Sequence, residues 1–348
     1  MMSKNAVIKG AYFHDLLGQP QALQDTLDGL EVSAELRTLA AALAEGKFHR
    51  IVLTGMGASL HALHPLNLRL IDRGFNSLMA DTSELIHYMP RLLDESTLVV
   101  VVSQSGKSAE IVRLIEMPER RSRILGITNT GDSPLARKSD AAILTRAGTE
   151  STVSCKTYVS ALAALEWVGD VLCGNPNSSS SELRQGVSAV KEYLDRWELY
   201  VSGLVAELEG VRELFFAGRG SSLAAAYSAG LILKESTRYH AEGTNSAALR
   251  HGPIEMMRDS VFVLVYAGDP RTAALNAALV NDVRGAGGRA FLCCSEAEIK
   301  AFRIPRVGEA ARPILEILPA QMISLALGAL GGFEAGRFEV ATKITANE

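Results

Sequence analysis

Cysteine is scarce. There are four in 348 residues, and Cys155, Cys173, Cys293 and Cys294 show none of the spacings that bind a metal. Cys293 and Cys294 sit inside a strand-like run, so buried free thiols are expected rather than disulfides, and no metal site is assigned. An excess of one charge is also missing. The 35 Lys and Arg against 39 Asp and Glu leave a net charge of −4, so no basic footprint for nucleic acid is present. Long hydrophobic runs are lacking too. The longest, residues 322–333, is short and glycine-rich, and no membrane span is expected from it. The opening Met1-Met2-Ser3-Lys4-Asn5 leads into polar sequence without the apolar core of a signal peptide, which makes a cytoplasmic protein the expectation.

With 47% hydrophobic residues, the chain is long enough for two domains of common size. Short apolar runs alternate with helical patterns, which predicts βαβ units and parallel sheets. The order of elements repeats. Ile51-Val52-Leu53 leads into Gly55-Met56-Gly57-Ala58-Ser59-Leu60, and 163 positions later Leu214-Phe215-Phe216 leads into Gly218-Arg219-Gly220-Ser221-Ser222-Leu223. The run Leu98-Val99-Val100-Val101-Val102 finds its echo in Val261-Phe262-Val263-Leu264-Val265, and a third pair follows in Ile124-Leu125-Gly126-Ile127 and Ala290-Phe291-Leu292-Cys293. Three elements in one order at nearly one offset indicate a tandem duplication. The expected fold is two tandem three-layer αβα domains with parallel sheets, flavodoxin- or Rossmann-like. The predicted segments are a helical stretch over 1–45, a first domain over 46–173, a linker and helix over 174–205 with its helix at 183–204, a second domain over 206–333 and a tail over 334–348.

The two copies differ after their central strand. In the first, Ser103-Gln104-Ser105-Gly106-Lys107-Ser108 joins a buried strand to an amphipathic helix starting at Ala109. Helix N-termini attract anions, and hydroxyls at such a turn suit a phosphate. A single serine would read as an ordinary helix cap; three with a glutamine exceed that need. The second copy has Tyr266-Ala267-Gly268-Asp269-Pro270-Arg271 there, with no serine and an acid that repels phosphate. One phosphate site, in the first half, is expected. A dinucleotide fingerprint is only partly imitated. Gly55-Met56-Gly57 follows a strand, and Asp81 lies beyond it, but Leu60 and Leu223 replace the third glycine.

Gly-x-Gly-x-Ser followed by a strand ending in Ser-Gln-Ser-Gly-x-Ser resembles the sugar isomerase (SIS) domain. The tandem arrangement, with Leu233-Lys234-Glu235 and His251-Gly252-Pro253, resembles the isomerase half of glucosamine-6-phosphate synthase and the stand-alone aminosugar-phosphate deaminases and deglycases. The resemblance covers roughly residues 30 to 348, including residues 147–156 and the C-terminal Thr342-Lys343-Ile344-Thr345. The synthase's glutaminase cysteine has no counterpart in Met-Met-Ser-Lys, so glutamine-dependent amino transfer is not expected.

The resemblance implies a phosphate anchor made of Ser103, Gln104, Ser105 and Ser108 with the helix start at Gly57, Ala58 and Ser59, while Lys107 reads equally as a solvated surface lysine. It implies further sugar contacts at Thr152, Ser154 and Thr342, although Ser154 also reads as a helix cap. It makes Glu235 the base that moves a proton between C1 and C2. Read from its residues alone, Glu235 is either a carboxylate on an apolar helix face with a raised pKa or a solvated neighbour of Lys234. His251 is implied as the ring-opening group, reaching into a neighbouring subunit's site and hence requiring a homodimer. Lys343 is implied as the cation that approaches the carbonyl end, where composition alone would leave it in a disordered tail. Two positions depart from the family: Ile232 stands for a lysine and Ala248 for an acid, with Arg250 nearby to replace part of the lost charge. No cofactor is implied. The expected function is an aminosugar-6-phosphate isomerase/deaminase that releases ammonia and a ketose 6-phosphate. A fructosamine-6-phosphate deglycase and a non-catalytic sugar-phosphate-binding regulator stand as alternatives.

Overall fold

The computed structural model describes residues 7–340, 342 and 343. Their backbone divides into two compact units. One comprises residues 21–149, 156–184, 342 and 343; the other comprises residues 7–20, 150–155 and 185–340. They are called here the N-sheet unit and the C-sheet unit.

The N-sheet unit holds five parallel strands: β1 (Arg50–Gly55), β2 (Ser77–Asp81), β3 (Thr97–Val102), β4 (Arg123–Thr128) and β5 (Ala141–Leu144), in the order β2-β1-β3-β4-β5. Strand β3 is buried at every position and is four-fifths β-branched after Thr97, as expected of a central strand covered on both faces. Val99 and Val101 pack on Ile111 and Leu114 of the helix Ala109–Glu116. Chain order reverses between the neighbours β1 and β3, where Gly55 lies opposite Val102. In open α/β sheets the crevice at such a reversal is where ligands bind.

The C-sheet unit repeats this order with β6 (Glu213–Gly218), β7 (His240–Asn245), β8 (Val261–Tyr266) and β9 (Arg289–Cys293), arranged β7-β6-β8-β9 and all parallel. The fifth strand is replaced by a single bridge between Cys294 and Arg303. The helix Leu223–Thr237 lies backbone to backbone against β7. A Cβ on Gly230 would come 2.4 Å from the Gly243 nitrogen, and one on Gly243 would come 2.3 Å from the Ala226 carbonyl oxygen. The small residues of this helix therefore permit close approach, beyond simply being apolar. Near the start of the chain, the helix Gly10–Leu17 is held in the same unit. The Tyr12 hydroxyl bonds Ser324 at 3.0 Å, and the Gln19 and Gln321 amides bond reciprocally at 2.9 and 3.0 Å.

Two expectations are corrected. The helix predicted over 183–204 is two helices, Ser180–Leu194 and Trp197–Glu207, interrupted at Asp195 and Arg196. The longest apolar element is not 322–333 but the helical run Arg312–Gly331, with mean hydropathy 1.6 over its most apolar part. By length and composition it is able to cross a membrane, yet 89% of that part is buried inside the protein, as in a core helix.

Candidate functional site

In the N-sheet unit the hydroxyl loop sits at the carboxyl end of β3, on the order reversal. Gly106 adopts φ +61°, and a Cβ there would lie 2.3 Å from the Ser133 hydroxyl oxygen, so both conformation and space require glycine. The Ser103 hydroxyl oxygen accepts from the Gly106 N–H at 3.1 Å, and that of Ser105 accepts from the Lys107 N–H at 3.2 Å. A hydroxyl used this way still has its own proton to donate. Ser103 and Ser105 are 7% and 8% exposed, so those donors are preorganised in a largely dehydrated place. Ser108 stands at the N-cap of Ala109–Glu116 in extended conformation, but its side chain makes no cap hydrogen bond. Gln104 is half-buried, and Lys107 is exposed. Across the reversal, Gly57 (φ +51°) precedes the short helix Ala58–His61, which carries Ser59. Asp81 caps the helix Thr82–Tyr88 by accepting from the Ser83 N–H at 2.9 Å, which gives it a structural role distinct from the ribose contact of a dinucleotide site.

Sequence reading missed the residues that hold the loop. The Gln104 carbonyl accepts from the Asn129 N–H at 3.0 Å and from the Thr128 hydroxyl at 3.2 Å. The Asn129 side-chain oxygen accepts in turn from the Ala147 N–H at 2.7 Å. The signal was the hydroxyl–amide run Thr128-Asn129-Thr130 directly after an apolar strand.

In the C-sheet unit the corresponding turn is occupied by the protein's own carboxylate. Gly268 has φ +69°, like Gly106. Asp269 caps the helix Pro270–Gly285 by accepting from the Arg271 N–H at 2.8 Å, and its carboxylate also holds the Arg271 guanidinium at 2.8 and 3.0 Å. These Arg271 side-chain and backbone bonds lower its pKa to about 2. Asp269 thereby takes the helix N-terminus that an external phosphate would need.

The same unit brings together Glu235 and the segment Glu150–Cys155. Glu235 is half-buried on Leu223–Thr237, and Lys234 beside it is exposed. Both act on the Tyr12 hydroxyl: burial raises its pKa most, and the charges of Cys155, Glu235 and Glu150 raise it further. Glu150, 7% exposed, accepts from the Cys155 N–H at 2.9 Å, closing a loop that contains the half-buried Thr152 and Ser154. Glu150 and Tyr12 were not singled out from the sequence. His251 is exposed, at the end of the helix Ser246–Arg250, and is followed by Gly252 at φ +119°. Arg250 is ion-paired to Asp282 at 2.7 Å, so its charge is already compensated. Ile232 is 1% exposed and belongs to the core, whereas Ala248 is exposed.

Thr342 is exposed and Lys343 half-buried, and both group with the N-sheet unit. Ile344 and Thr345 lie outside the described residues. Among the described residues no group of His, Cys, Asp or Glu has the arrangement of a metal site.

The SIS domain model matches this chain twice, over residues 46–168 and 207–327. The glutamine–fructose-6-phosphate aminotransferase of Pyrococcus horikoshii is 28% identical over 94% of this chain and 57% of its own length. The chain thus spans about half the length of the curated relatives it matches. Among solved structures, the C-terminal domain of glucosamine-fructose-6-phosphate aminotransferase from Francisella tularensis superposes with TM-score 0.77 at 21% identity, covering 94% of this chain and 98% of that one. Glucosamine-6-phosphate deaminase from Thermotoga maritima gives TM-score 0.75 at 17% identity, covering 93% of this chain and 96% of that one.

Proposed function

Because this chain belongs to the SIS-domain family and carries the domain twice, we propose that it is an aminosugar-6-phosphate isomerase/deaminase. The observation that carries the phosphate assignment is the pair Ser103 and Ser105. Each hydroxyl accepts a loop N–H and keeps a proton to give to an anion at the sheet's order reversal. The second copy fills the equivalent turn with Asp269, so only the first copy's turn is proposed to hold the sugar's phosphate. Gln104, Ser108 and the Gly57–Ser59 turn complete the anchor, with Thr152, Ser154 and Thr342 as sugar contacts.

In the proposed reaction His251 exchanges the proton that opens the ring. Glu235 takes the proton from C2 of the open aminoaldose, giving an enolamine, and returns it to C1. The resulting C2 imine adds water and expels ammonia, leaving a ketose 6-phosphate. Lys343 polarises the carbonyl end. Base catalysis of this kind contributes about 10²–10⁴-fold. The names of the relatives, an isomerizing glutamine–fructose-6-phosphate aminotransferase and a glucosamine-6-phosphate deaminase, support a sugar-phosphate substrate. In keeping with the family resemblance, we propose a cytoplasmic homodimer in which His251 serves the neighbouring subunit's site.

The test is a coupled assay for ammonia release over a panel of 2-amino-2-deoxy hexose 6-phosphates and fructosamine 6-phosphates, with Glu235→Gln alongside. Ammonia from the first group, lost in the variant while sugar-phosphate binding persists, is expected. Release of an amine or amino acid from the second group alone would make the protein a deglycase. Tight binding with no turnover of either would make it a sensor.

A further inference from the structure

The C-sheet unit has a concave feature lined by none of the site residues assigned above. The helices Ser180–Leu194 and Trp197–Glu207 and the segment after β9 enclose an open groove of about 640 Å³, the size of a small-molecule site. Four cations line it, Arg196, Lys300, Arg303 and Arg306, against two carboxylates, Glu192 and Glu296. Arg196 pairs with Glu192 at 3.1 Å and Arg306 with Glu296 at 2.8 Å, with all four side chains more than half exposed. Exposed pairs like these contribute about 0–1 kcal/mol, so a doubly charged anion displaces the carboxylates at little cost. Among the described residues no carboxylate pairs with Lys300 or Arg303; the Arg303 Nε donates to the Ala297 carbonyl, which holds its guanidinium in place at the groove wall.

The wall is preformed. The Tyr193 hydroxyl donates to the Ala301 carbonyl at 2.5 Å, and the Cys294 and Ile304 N–H groups donate to Phe302 and Cys294 carbonyls, both at 3.2 Å. The Tyr193 and Tyr200 rings pack 4.6 Å apart behind the groove, and Leu199, 52% exposed, offers an apolar contact at its side. A merely solvated basic face would be convex and mobile; this one is concave, has a surplus of two positive charges and is stiffened from behind. Arg303 and Arg306 present planar donors suited to phosphate oxygens.

We propose that this groove binds a small phosphate-bearing molecule through Lys300 and Arg303, with Arg196 and Arg306 turning from their surface carboxylates to the ligand. It is a second anion site, separate in sequence and in fold from the hydroxyl loop. The full-length protein tests it by calorimetric titration with inorganic pyrophosphate, in a Ser103→Ala/Ser105→Ala background that removes the loop's hydroxyls. Lys300→Glu/Arg303→Glu should weaken binding at least tenfold, and Lys300→Gln/Arg303→Gln by less. Lys47→Glu/Lys138→Glu, the same charge change on exposed lysines of the N-sheet unit, should leave binding within twofold. Unchanged affinity in the first variant, or an equal loss in the control, overturns the site. So does a sedimentation measurement in which Lys300→Glu/Arg303→Glu splits an oligomer, because the groove would then be covered by a second copy of the chain.

Discussion

Ser222 donates its hydroxyl to the buried Glu316 carboxylate at 2.8 Å, and it does so from the position that Ser59 holds in the first copy. The duplication therefore kept the serine and changed its partner. The other Glu316 oxygen has no hydrogen-bond partner among the described residues. Burial raises the Glu316 pKa to about 7, against the Ser222 bond and the Arg312 charge, which lower it.

That pKa has a stability consequence. The unfolded carboxyl ionises near 4.5, so between about pH 4.5 and 7 the folded protein keeps a proton that the unfolded chain releases. Stability falls as pH rises through that window, by up to about 3 kcal/mol for a shift of this size. Urea denaturation of Glu316→Gln should show a gain over the parent protein at pH 8 that shrinks towards pH 4.5. A pH-independent difference would mean that Glu316 is ionised throughout.

Backbone contact between the helix carrying Glu235 and β7 makes a sharper packing prediction. Gly243→Ala should cost about 1–3 kcal/mol, because the added methyl meets backbone that has no rotamer to change. Gly203→Ala, in the helix Trp197–Glu207 with nothing near its Cβ, should stabilise by about 0.5–1 kcal/mol. Thermal unfolding of both distinguishes close approach from an ordinary glycine cost.

The two loop serines should carry phosphate recognition. Hydrogen bonds to a charged group are worth about 1.5–3 kcal/mol. Ser103→Ala or Ser105→Ala should therefore weaken binding of a hexose 6-phosphate by about tenfold or more, while leaving the weak affinity for the unphosphorylated sugar unchanged. Equal losses for both ligands would place the serines on the sugar rather than the phosphate.

Deleting residues 343–348 should abolish turnover without lowering the unfolding temperature, if Lys343 acts on the carbonyl end. Mixed dimers of Glu235→Gln and His251→Ala chains should recover part of the activity if each site takes His251 from the other subunit. A mixture as inactive as its parents would place both residues in one chain's site.

The tandem repeat was legible in the sequence because β1, β3, β4, β6 and β8 are fully or mostly buried strands, and burial on both faces writes a continuous apolar run. Strands β2, β5 and β7 escaped notice for the opposite reason. They lie at sheet edges, part-exposed, and His240–Asn245 in particular contains polar residues and Gly243, which its contact with Gly230 selects. The hydroxyl loop was legible because its chemistry is contiguous. The roles of Thr128, Asn129, Tyr12 and Glu150 were not, since each acts on a segment distant in sequence. Composition and local order thus determined the duplicated α/β fold and the difference between the hydroxyl loop at 103–108 and the turn that holds Asp269. Only the tertiary structure decided which hydroxyls are spent on their own backbone, which carboxylates are buried, and that Ser222 answers to Glu316, because those depend on what long-range packing leaves beside each side chain.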